Sequence, residues 1–154
     1  MADLRQCLEA AGYVDVRTVL ASGNVAFSTR SSPVETLEGR LATEIERGLG
    51  RAFSLTVRST DYLTQLLASD PFGGFTIPPE AKRIVTFLRN PDGLVSRLPI
   101  EQDGVSILKR VGTEVYTTYL PNPKGPVFMT LLERTFGKDI TTRTLETVRK
   151  CAKA

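Results

Sequence analysis

The sequence of 154 residues contains no histidine, no tryptophan and only two cysteines. Without histidine the chain lacks the side chain that most often serves as general base, as metal ligand and as the middle member of a nucleophilic triad. Acid–base chemistry would fall to lysine, tyrosine or carboxylates, and no catalytic residue is identified. Cys7 and Cys151 both lie in helix-like stretches. Two thiols make no disulfide framework, so they read as small apolar side chains and the expected compartment is the cytoplasm. No apolar run approaches the roughly 20 residues that span a bilayer. Nor do the first residues, Met1 to Gln6, have the basic-then-apolar pattern of a secretory signal. A Gly-rich phosphate loop, metal-ligand spacing of Cys or His and a nucleophile elbow are all missing, so no cofactor and no metal are expected.

What is present has the balance of a globular protein: 41% hydrophobic and 24% charged residues. The length suits one domain or two small subdomains sharing a core. The net charge of +3 is unevenly spread. Residues 104–154 carry nine Lys or Arg against four Asp or Glu, which leaves residues 1–103 at −2. A basic C-terminal third reads either as solvated helix faces or as a surface for a polyanion.

Leu4, Cys7, Leu8 and Ala11 recur at helical spacing, with Gly12 as the stop. Two short runs follow, Asp15–Leu20 and Val25–Ser28, joined through Ser22-Gly23-Asn24. They predict a hairpin with Val14, Val16, Thr18 and Leu20 on one face. Pro33 opens a long helix whose stripe is Val34, Leu37, Leu41, Ile45 and Leu49, ended by Gly48 and Gly50. A strand is expected at Ser54–Arg58. A short helix, Tyr62–Ala68, follows, capped by Ser59 or Thr60 and closed by Asp70-Pro71.

Residues 72–81 are rich in Gly and Pro and read as a linker between an N-terminal half, 1–71, and a C-terminal half, 82–154. The run Ile84–Leu88 has the pattern of a central strand buried on both faces. A weakly helical stretch, Asp92–Glu101, leads to a second hairpin, Val105–Arg110 and Glu114–Leu120, turning at Gly112. Past Pro121, Pro123 and Pro126 a helix is expected with the face Val127, Phe128, Leu131, Leu132 and Phe136, stopped by Gly137. A short extended piece, Ile140–Arg143, and a basic helix, Leu145–Ala152, complete the chain. The order repeats, and two βαββαβ, ferredoxin-like units explain it. The predicted class is therefore α+β. The first copy has nothing ahead of its helix to match Ile84–Leu88, so its central strand is expected to be missing.

Several pieces taken together resemble a known bacterial family, the domain of unknown function numbered 1697. They are Asp3-Leu4-Arg5 with Gly12 to Thr18, Ser22 to Ser28, Val57-Arg58-Ser59, Val115-Tyr116, Thr141 to Thr144 and Thr147 to Lys150. The resemblance implies a cytoplasmic α+β protein of two ferredoxin-like halves, with no activity, cofactor or catalytic residue established. Members usually begin with an extra strand and a glycine-rich turn ahead of the first helix, and a tryptophan stands where this chain has Leu145. The first departure points to a truncated reading frame, or to a homodimer in which another chain supplies the strand.

Three groups of residues are candidate binding positions. Ser22, Gly23 and Asn24 form either a polar loop or simply the hairpin turn. Thr141 to Thr144, with Thr142 and Arg143 as the candidate contacts, sit where an anion would meet a helix N-terminus; alternatively Thr142 or Thr144 caps the last helix while Arg143 pairs with a nearby carboxylate. Lys109, Arg110, Lys124, Arg149 and Lys150, with Tyr116 and Tyr119, have the mixture of basic and aromatic residues by which ferredoxin-like sheets bind single-stranded nucleic acid. The RNP-type aromatic run is absent, and tyrosines are also ordinary strand residues. The leading expectation is a non-enzymatic binding or interaction protein; nucleic-acid binding and an enzyme acting on a small anion near Arg143 are the alternatives.

Overall fold

The structure, a computed structural model, describes residues 2–20, 23–30, 32–89, 97–121 and 127–154. Ser22, residues 92–96 of the expected helix, and Pro123, Lys124 and Pro126 lie outside the described residues. The chain divides into two compact units, one of residues 1–65 with 149–154 and one of residues 66–148.

The first unit starts with α1 (Ala2–Ala10), which ends at Gly12, whose φ of +98° suits glycine. The strands β1 (Val14–Thr18) and β2 (Val25–Ser28) then pair antiparallel, Thr18 opposite Val25 and Arg17 opposite Ala26. Of the face expected to point inward, only Val16 is buried; Val14 is 57% exposed and Leu20 is exposed as well. The reason is a bulge between Val14 and Arg17, with Asp15 at φ +52°, which breaks the alternation along β1.

The next element, α2 (Val34–Leu49), is preceded by Pro33 and closes on Gly50, whose left-handed φ of +78° lets its N–H reach the Glu46 carbonyl at 2.8 Å. Its stripe works as expected: Leu37, Leu41 and Ile45 are buried together with Leu8, Tyr13 and Val16. Ser54–Arg58, by contrast, is not a strand. Leu55 and Val57 pack on the same core, but no described strand pairs with the segment, and the Val57 N–H donates to Glu38 Oε2 at 3.3 Å. Strand propensity without a neighbouring edge makes no ladder. The helix α3 (Thr60–Ala68) follows, with Ser59 Oγ accepting the Tyr62 N–H at 3.0 Å as its cap. The division between the units falls within it.

The second unit is built on a five-stranded antiparallel sheet. Its strands are β3 (Lys82–Leu88), β4 (Ile100–Gln102), β5 (Val105–Val111), β6 (Glu114–Tyr119) and, after α4 (Val127–Phe136), β7 (Ile140–Thr144). They lie in the order β4-β5-β6-β3-β7. The central β3 is buried from Ile84 to Leu88, as its unbroken apolar run predicts. Residues 100–102 are an edge strand rather than the end of a helix. Ile100 sits opposite Ile107 and packs with Leu98 on the core, so pairing with β5 outweighs weak helical spacing.

The α4 residues Leu131, Leu132 and Phe136 pack on Leu88, Val105, Ile107 and Val115 to make this unit's core. The last helix, α5 (Leu145–Lys153), crosses the second division between units. With β5-β6-β3-β7 in sheet order and α4 leading into β7, the second unit has the strand arrangement of a ferredoxin-like fold, and the chain is α+β.

Candidate functional site

The sheet of the second unit places two of the candidate cations in one row. Lys109 on β5 is opposite Tyr116 on β6, Tyr116 is opposite Val85 on β3, and Val85 is opposite Arg143 on β7. Residues directly opposite share a face, so Lys109 and Arg143 flank Tyr116 and Val85, three strand spacings or roughly 14 Å apart. The Lys109 ammonium lies 5.9 Å from the Tyr116 ring centre and 5.9 Å from that of Phe75. Tyr116 is only 3% exposed and meets Phe72 edge-on at 5.6 Å. Its ring offers no open face for a base. Glu114, two residues earlier on the same face, is 2% exposed and accepts a hydrogen bond from the Thr113 hydroxyl. Tyr119 lies on the opposite face, stacked on Phe128 of α4 at 4.1 Å.

Thr142 and Arg143 do not converge. They are consecutive strand residues, so they project from opposite faces of β7. Thr142 lies opposite Thr86 with its hydroxyl 3.6 Å from Met129 Sδ, while Arg143 Nη1 donates to the Thr142 carbonyl at 2.8 Å. At the start of α5, Thr144 Oγ1 accepts the Thr147 N–H at 3.2 Å, which caps the helix from within the chain. Arg110 Nε donates to the Gly112 carbonyl across the hairpin at 2.9 Å. Lys150 is exposed on the part of α5 that belongs to the first unit. Gly23, at φ +75°, and the buried Asn24 form the described part of the first hairpin's turn, where the Asn24 carbonyl accepts the Val19 N–H at 2.9 Å.

Phe72, Phe75 and Glu114 were not among the expected site residues, although they frame Tyr116 and Lys109. Two aromatics three residues apart in an otherwise Gly- and Pro-rich segment were the signal that could have found the first two. Among the described residues no three His, Cys, Asp or Glu side chains come together as metal ligands. No described helix is long and apolar enough to cross a membrane.

The first unit offers a different kind of site. Its sheet has two strands, and among the described residues no strand takes the far edge of β2. In an antiparallel pair, residues alternately turn both backbone groups toward the partner and away from it. The bond from Val19 N–H to Asn24 C=O sets that phase. Arg17 and Ala26 therefore face each other, and Val25 and Phe27 turn their N–H and C=O groups outward.

The sequence signature of a family described as protein of unknown function (DUF1697) matches residues 1–116. The chain belongs to this family. The DUF1697 match runs from α1 into β6, and so takes in the open edge of β2 and the first strands of the second sheet. The structure of a conserved bacterial protein from Streptococcus pneumoniae is similar to the chain, with a TM-score of 0.69 and 19% identity. The similarity covers 99% of this chain and 87% of that one, and it concerns the fold. No match is found among curated proteins.

Proposed function

We propose that the chain is a cytoplasmic, non-catalytic interaction protein that binds another polypeptide through its first unit. The open edge of β2 carries this reading. Among the described residues no strand lies along the N–H and C=O groups that Val25 and Phe27 turn outward, which is the arrangement that strand-adding partners recognise. A photo-crosslinking amino acid at Ser28, on the end of β2, tests it in cells. The control is the same group at Val111, an exposed position in the second unit. Position 28 is expected to capture one or a few discrete polypeptides that position 111 does not. Equal capture at both positions, or capture of nucleic acid, overturns the reading.

Nucleic-acid binding is the second reading, favoured by Lys109 beside the partly exposed Phe75. The burial of Tyr116 and the stacking of Tyr119 on Phe128 weigh against base stacking. Fluorescence anisotropy of labelled single-stranded DNA and RNA at low salt decides between the two. Salt-dependent binding lost on joint reversal of Lys109, Arg110 and Lys150 to glutamate would favour nucleic acid.

A further inference from the structure

We draw no further inference here: the strongest candidate, the outer edge of β7 (Ile140–Thr144) in the second unit's sheet, along which no described strand lies, carries nothing because nothing in the structure shows what covers it.

Discussion

Gly39 and Gly48 lie in the same helix, α2, and both are exposed, yet a methyl group would meet different surroundings at each. A Cβ on Gly39 has nothing within 4 Å, while one on Gly48 would lie 2.5 Å from Cys7 Sγ. The thiol there also donates to the Glu44 carbonyl at 3.4 Å, so displacing it forfeits a contact between α1 and α2. Alanine is favoured over glycine inside a helix by about 1 kcal/mol. Gly39→Ala is therefore expected to stabilise the chain by about that amount in urea denaturation. Gly48→Ala should give no gain, or lose about 1 kcal/mol. In a Cys7→Ala background Gly48→Ala should recover the full gain, so the two sites show a coupling of about 1–2 kcal/mol in a double-mutant cycle. A gain for Gly48→Ala alone that equals the Gly39→Ala gain would show that the thiol moves without cost. Helical spacing alone identified Cys7 as a small apolar residue of α1. Its contact with a glycine 41 positions away belongs to the packing of two helices and has no local signature.

At the scale of elements, what the sequence made legible follows how local each cause is. The stripes of α2 and α4, the two hairpins and the buried run of β3 depend on spacing within one segment, and the structure has them where spacing puts them. Ser54–Arg58, the outward Val14 and the edge strand Ile100–Gln102 depend on which edge is available and on one extra residue in β1. Thr142 and Arg143 illustrate the same limit at the candidate site. Read as the approach to a helix they converge, but as residues of β7 they point to opposite faces. The row from Lys109 to Arg143 needed the register of four strands, which no single segment encodes.

That register also brings Thr86 and Thr117 onto one face, diagonally across β3 and β6, both fully buried and with Oγ1 atoms lacking a hydrogen-bond partner among the described residues. A buried hydroxyl without a partner costs about 1–3 kcal/mol, and valine has nearly the same shape. Thr86→Val and Thr117→Val are each expected to stabilise the chain by about 1 kcal/mol, read as a higher denaturation midpoint at unchanged slope. The double variant should depart from the sum by about 0.5 kcal/mol or more, because the two sites adjoin. Destabilisation by either change would mean that the hydroxyl has a partner in solution.

On the scale of the whole molecule, the two units each have a hairpin followed by a helix and differ in how far each sheet is completed. The second has a strand with ladders on both sides and a side-chain core reaching Val115, Ile107 and Leu132, all fully buried. The first has a two-stranded sheet, and a lone hairpin in water is marginal unless helices cover it, as the α1 and α2 side chains of its core do here. Opening such a hairpin breaks one ladder, whereas freeing β3 breaks two and exposes the core of its unit. Native-state hydrogen exchange should resolve this difference. The amides of Val85 and Phe87 in β3 are expected to exchange only through the largest opening. Arg17 and Ala26, which face each other in the hairpin, should exchange at least about 100-fold faster than those amides after correction for intrinsic rates, a difference of about 2.7 kcal/mol. Low concentrations of urea should leave the hairpin rates nearly unchanged and accelerate those of β3, because small openings expose little surface and large ones expose much. Equal protection at the two places in the free chain would show that the edge of β2 is already partnered.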